Sequence, residues 1–262
     1  MNVAVVPAKN EQGRIGKVLT LLQQTLVEKI VVVVNGSRDD TMQEINALNM
    51  ENMEILYFAQ ELGIDVPRAI GAYHAYTDGA TCVVFVDGDL VGNIRIQINE
   101  LIYAVTTNMT DLAMTDCYPE LAYSSKLAEQ TLFFRTFLNL NLGFYDKIGV
   151  ATPSHGPHAV SRKLLELVDF RDFAVPPVVL AFAVRQGLSV DVPTKLPQKQ
   201  LGSKIRNYSH AKKIADTIIG DTLEAINYFR SKPRTRCYLN KEYQGYNPFR
   251  RFDILEKFLT MT

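Results

Sequence analysis

The sequence predicts an α/β fold built on a mostly parallel sheet, and three observations carry the prediction. Short apolar runs of strand length alternate four times with segments of helical periodicity in the first 110 residues or so, the pattern of βαβ units. The run Ile30-Val31-Val32-Val33-Val34 is too dense in β-branched residues for a strand with a wet face and suits one covered on both sides. Polar loops follow Val6, Val34 and Val86, and in a parallel sheet the loops at the carboxyl ends of strands are where ligands bind.

Taken in order, residues 3–6 form a buried strand closed by Pro7, and Ile15, Val18, Leu19, Leu22 and Leu26 follow at helical spacing. The second strand, 30–34, stops at the turn Asn35-Gly36-Ser37, and a helix starts at Thr41. A third strand is expected over 53–57 and a third helix over 66–76. A fourth strand over 82–86 ends in Asp87-Gly88-Asp89, followed by a helix over 94–105 and a fifth strand over 111–115. The second half is less regular. Residues 126–142 read as a Leu/Phe-rich helix, which suits core, an apolar groove or a membrane-facing patch, and 143–157 as a Gly/Pro-punctuated loop. Pro176-Pro177 suits the first turn of a helix ending near Arg185. A strand over 189–192 and a long amphipathic helix over 210–230 follow. No linker divides the chain, so one domain is expected: residues 1–116, then 117–205, then an extension over 206–262.

Composition removes several classes of function. The chain has 28 basic and 28 acidic side chains, whereas a duplex-DNA binder would carry a basic excess. Three cysteines without metal spacing, and an N-terminus without a basic leader, suit a cytoplasmic protein. The apolar stretch near 176–184 is too short to span a bilayer, which takes roughly 20 residues. The neutral total hides an asymmetry: residues 195–262 hold 14 basic and 6 acidic groups. That segment suits either an anionic ligand or surface, peripheral membrane contact included, or a solvated basic helix. Its Tyr/Phe-rich end suits a homodimer contact or packing against its own domain.

Two carboxylates flanking Gly88 at a strand end can address a hard cation. Mg²⁺ or Mn²⁺ prefers oxygen and often takes one or two carboxylates, with phosphate oxygens and water completing its shell. Gly88 lets a ligand approach the backbone.

Four segments occur in order: Val-Val-Pro-Ala-Lys-Asn-Glu (5–11), Asn-Gly-Ser-Arg-Asp-Asp-Thr (35–41), Leu-Gly-Ile-Asp-Val-Pro-Arg-Ala-Ile-Gly (62–71) and Phe-Val-Asp-Gly-Asp-Leu (85–90). Together they resemble the nucleotide-sugar-binding half of family 2 glycosyltransferases, over roughly residues 1–116. The resemblance implies a GT-A fold, a Rossmann-like mixed sheet flanked by helices, with the second segment as acceptor half and a helical C-terminal extension. It implies a metal-dependent transfer of a sugar from a nucleoside-diphosphate donor to an acceptor it does not identify. Pro7, Ala8 and Glu11 would line the nucleoside pocket. Asn35 stands where the family usually has a base-reading aspartate. Arg68 would lie near the diphosphate, Asp87 would contact ribose or metal, and Asp89 would hold the metal. Lys204 and Arg206, in a Gly-containing basic loop, suit either added positive charge at the donor or a solvated surface turn.

Inverting members carry a carboxylate base near the helix that begins here at Pro176. Residues 174–188 hold no carboxylate, and Asp172 is the nearest stand-in. A retaining reaction therefore stays open, as in the glucosyl-phosphoglycerate and mannosylglycerate synthases of this fold. Their metal-binding histidine has no match before His210. Gly156, Ala159 and Arg162 match a Gly-x-x-Ala-x-x-Arg segment that borders the acceptor in relatives, and His155 and His158 beside it suit acceptor binding, a reach to the metal, or loop histidines bonded to backbone. A sugar nucleotidyltransferase, with Lys17 as a weak phosphate-loop lysine, and a non-catalytic nucleotide-sugar binder are the alternatives.

Overall fold

The aliphatic runs become the centre of the sheet because each residue has a helix layer to bury against. The computed structural model describes residues 1–120, 125–203 and 207–261. Strands β1 (Asn2–Ala8), β2 (Lys29–Asn35) and β3 (Met53–Phe58) alternate with helices α1 (Ile15–Leu22), α2 (Thr41–Ala47) and α3 (Val66–Thr77). Then come β4 (Cys82–Phe85), α4 (Arg95–Thr106), β5 (Leu112–Asp116), α5 (Lys126–Asn141) and the single turn α6 (Tyr145–Ile148). After β6 (His158–Ser161) and α7 (Arg162–Leu167), a 3₁₀ turn (Phe170–Ala174) leads into α8 (Pro176–Arg185) and β7 (Val190–Lys195). The chain ends in α9 (Tyr208–Phe229), a hairpin of β8 (Cys237–Tyr238) and β9 (Lys241–Glu242), and α10 (Phe252–Met261).

Among the described residues seven strands form one sheet in the order β3-β2-β1-β4-β6-β5-β7. Every neighbouring pair is parallel except those made by β6, which runs antiparallel to β4 and β5. Side-chain alternation divides the core. Val3, Val5, Val31, Val33 and Phe85 face the layer of α3, α8 and α10, while Ala4, Val6, Val32, Val34 and Val84 face that of α1 and α4.

The expected elements of the first half are present. The sequence reading did not anticipate β6, α6, α7, α10 or the β8–β9 hairpin. Strand β6 is four residues long, too short for alternation to stand out. The tail packs back on its own domain: Tyr238 and Tyr243 meet Phe134 edge-on, and Leu255 is fully buried. Helix α5 divides its apolar residues, with Leu132, Phe134 and Leu138 buried and Phe133 and Leu140 exposed. No helix among the described residues is long and apolar enough to cross a membrane.

Three arginines of the extension turn back to pair with acidic groups of the fold. Arg250 grips both oxygens of Asp221 at 2.7 Å and reaches Asp65 at 3.1 Å. Arg236 shares Asp221 at 2.6 Å and also takes Glu224 at 2.6 Å, and Arg234 joins Glu224 (3.2 Å) to Asp172 (2.6 Å). Asp221 is 2% exposed and faces two guanidinium groups, so its loss would leave buried cations under-compensated. Asp221→Asn is expected to lower unfolding stability by about 3–5 kcal/mol in urea titrations. Asp253→Asn, which breaks an exposed, solvent-screened pair with Arg251, should leave the urea midpoint unchanged.

Candidate active site

Three loops meet where β1, β2 and β4 end. The loop after β1 is laced to the loop after β2: Asn10 N–H donates to Ser37 Oγ (3.1 Å), Glu11 N–H to Thr41 Oγ1 (2.7 Å) and Arg38 N–H to Asn10 Oδ1 (2.8 Å). Gly88 N–H donates to Pro7 O at 3.2 Å, tying the loop after β4 to the same edge. A Cβ at Gly88 would lie 3.0 Å from Pro7 O and 3.5 Å from Glu11 Cγ, so the carboxylate-bearing loop lies directly against Glu11. Buried Glu11 pairs with Arg14 at 2.6 Å, and Ala8 is buried at the end of β1.

Arg68, on the first turn of α3, joins Asp65 through Nη1 and Asp87 through Nη2. Burial lowers the Arg68 pKa, but the charges of Asp87 and Asp65, with a smaller contribution from Asp89, raise it overall. Arg68 is therefore first an orienting group for Asp87, with Nε buried and unbonded. Burial pushes the Asp65 carboxyl up, and Arg68 and Arg250 oppose that shift.

Asn35 turns inward. Its Oδ1 accepts from Leu62 N–H at 2.5 Å and its Nδ2 donates to Gly63 O at 3.1 Å, so the amide holds the loop that leads to Asp65. Gly63 has φ +85°, and a Cβ there would meet Phe249 O at 2.3 Å; only glycine admits the C-terminal segment so closely. Arg251 N–H donates to Leu62 O at 2.8 Å. The extension thus braces the donor-side loop from behind.

Burial chiefly, and the charge of Arg68 to a lesser degree, lower the pKa values of His155 and His158. His158 stacks on Phe85 at 4.7 Å and His155 on Tyr118 at 5.4 Å. Burial drives both imidazoles down to about 3, so they are neutral.

Two expected residues have other duties. Arg162 is not beside the histidines. Antiparallel pairing sets His158 opposite Phe85 at the loop end of β4 and Ser161 opposite Cys82 at its start. Four residues of strand, at about 3.3 Å each, carry Arg162 some 13 Å away, where it bonds Ala80 O and Glu166. Asp172 is buried with Arg234 on its carboxylate, an occupation that anchors the 3₁₀ turn to the extension. Burial still raises its pKa. Lys204 and Arg206 lie outside the described residues. Gly92 N–H donates to Leu201 O at 3.0 Å, which brings the preceding segment against the loop after β4.

Asp65, Arg250 and Arg135 were not anticipated. Arg250 lies 185 residues from its partner Asp65, beyond any local pattern. Arg135 did leave a trace: Thr131, Arg135 and Asn139 are polar residues spaced by four on a buried helical face.

The neutral histidines set a pH dependence. An unfolded chain binds protons near pH 6.5 that the folded one refuses until about 3. Stability therefore falls as pH drops below about 6.5. His158→Phe, which keeps the ring stack, should remove about 2 kcal/mol of the loss between pH 7 and pH 5 in urea titrations.

The chain matches the model of glycosyl transferase family 2 over residues 3–168. Among solved structures it resembles glucosyl-3-phosphoglycerate synthase from Mycobacterium tuberculosis. The complex with Mn²⁺, uridine diphosphate and glucosyl-3-phosphoglycerate aligns at TM-score 0.63 and 16% identity, covering 92% of this chain and 84% of that one. The complex with Mn²⁺, uridine-diphosphate-glucose and phosphoglyceric acid aligns at TM-score 0.59 and 18% identity, covering 92% and 83%. At these identities the likeness is one of fold, and it bears out the expected GT-A architecture. No curated protein matches the chain. The family match takes in all three donor-side loops together with β6 and α7, and on that span the chain belongs to glycosyl transferase family 2.

Proposed function

We propose that this family 2 glycosyltransferase uses a nucleoside-diphosphate sugar, held through Mg²⁺ or Mn²⁺ at Asp87 and Asp89. The observation that carries the reading is the placement of the Asp87-Gly88-Asp89 loop where three strands end, with Gly88 against Glu11 and Asp87 paired to Arg68. The donor set fits such a cation: two hard oxygen ligands share one loop. No group of three metal-binding side chains occurs among the described residues, which suits an ion that completes its shell with diphosphate oxygens and water. Similar structures holding Mn²⁺ and uridine diphosphate support the same choice.

Bound there, the cation would neutralise charge on the leaving diphosphate. The chain's own part is positioning. Arg68 holds Asp87, Asp65 holds Arg68, and Asn35 holds the loop that carries Asp65. Pro7, Ala8 and Glu11 form the wall against which the nucleoside would lie. With Asn35 occupied, base recognition falls to backbone groups of these loops. Asp172 is committed to Arg234, so a retaining reaction fits better than one using it as base. Family membership favours transfer over nucleotidyl chemistry, and Lys17 is exposed on α1. Three free cysteines support a reducing compartment such as the cytoplasm.

Donor hydrolysis and calorimetry test this without a known acceptor. The wild type should bind uridine diphosphate more tightly with Mn²⁺ and turn over one of a panel of nucleoside-diphosphate sugars. Asp89→Ala should lose about 100-fold or more in turnover and the Mn²⁺-dependent part of binding, at unchanged thermal midpoint. Equal turnover in the variant would remove the metal role, and binding without turnover of any donor would leave a binder.

A further inference from the structure

Among the described residues the most deeply buried arginines are Arg135, Arg236 and Arg250, and of these Arg135 alone has guanidinium nitrogens without a hydrogen-bond partner. Arg236 and Arg250 each meet carboxylates and a backbone carbonyl. Arg135 is 1% exposed on the third turn of α5, its Nε and Nη2 are buried without hydrogen-bond partners, and no carboxylate among the described residues pairs with it. Its guanidinium lies 5.3 Å from the centre of the Tyr118 ring, which His155 also stacks on. An unpaired buried cation is costly, so its retention calls for a counter-charge that the chain does not supply.

More unsatisfied groups gather beside it. One turn along α5, Asn139 donates to Gly149 O (2.7 Å) and Ala151 O (3.1 Å), laying the following loop along the face that bears Arg135. On that loop and the strand after it, Thr152 Oγ1, Ser154 Oγ, His155 Nε2 and His158 Nδ1 are all shielded from solvent without a partner. Their chemistry is of one kind: a guanidinium, two hydroxyls and neutral imidazoles that each carry one N–H. That set donates hydrogen bonds around a positive charge, which repels a metal ion and suits an anion. His155 stacks on Tyr118 and, three residues on, His158 lies opposite Phe85 at the end of β4, two residues before Asp87, so the patch adjoins the loop that carries Asp87.

We propose that Arg135, Thr152, Ser154 and His155 form a receptor for an anionic group, phosphate or carboxylate, on the acceptor substrate. The assignment of the group to the acceptor rests on the donor reading above; the anion site itself does not. The receptor places a charged end of the acceptor against α5 and leaves its hydroxyl to face the donor loops.

Thermal-shift and calorimetric titrations with inorganic phosphate and with acetate test the site. They are run against chloride at equal ionic strength, with saturating uridine diphosphate and Mg²⁺ occupying the donor side. One of the two anions should raise the wild-type midpoint in a saturable way, and the stronger one identifies the group. Arg135→Met should bind it at least tenfold more weakly while its own midpoint, measured without anion, is equal or higher, because an uncompensated buried charge has gone. The double variant Thr152→Val with Ser154→Ala should weaken anion binding as well and serves if Arg135→Met fails to fold. No saturable shift in the wild type, or an undiminished one in these variants, overturns the proposal. Failure of uridine diphosphate to bind at all would instead strike the donor reading, and the anion titrations repeated without it would still decide the receptor.

Discussion

A single file of alternating charges holds the donor side of this protein in shape. It runs Asp87, Arg68, Asp65, Arg250, Asp221, Arg236, Glu224, Arg234, Asp172, each joined to the next. Desolvating one ion pair is costly, but each interior member of this file meets two opposite charges, so attraction is doubled for each ion desolvated. The file begins at the carboxylate proposed to meet the metal and ends at the turn before α8. It crosses the molecule through side chains of the C-terminal extension, which makes that extension part of the donor site's framework.

Arg135 shows the opposite condition. Arg236 and Arg250 meet carboxylates, whereas Arg135 on α5 has the Tyr118 ring and no carboxylate among the described residues, beside loop atoms without hydrogen-bond partners. Binding sites carry such instability because a receptor that has satisfied itself has nothing left for a ligand. The contrast between the paired file and the unpaired patch separates framework from receptor more clearly than exposure does, since the centre of each is buried.

Much of the donor half was readable beforehand. Runs such as 30–34 can bury five aliphatics only between two helix layers, and Asp87-Gly88-Asp89 after a strand marks the loop edge of a parallel sheet. The acceptor half was harder. His158 and Arg162 are four residues apart and look like one motif. In a helix they would share a face, but in β6 they stand at opposite ends of a strand. Asn35 looked like a base reader because of its place after β2, yet its amide serves Leu62 and Gly63. Asp172 looked like a base because it was the nearest acid to α8, until Arg234 was seen on it.

Local order, then, was settled by the chain itself: which segments are strands and helices, where the strands end, and which loops carry acids. Those features follow from side-chain periodicity and turn chemistry over a few residues. Tertiary structure alone decided the direction of β6, the inward turn of Asn35, the pairing of Arg250 with Asp65 and the isolation of Arg135. Each of these is a question of which charges and amides lie within about 3 Å across long stretches of chain, and Coulomb and hydrogen-bond energies depend on distance through space rather than position along the sequence.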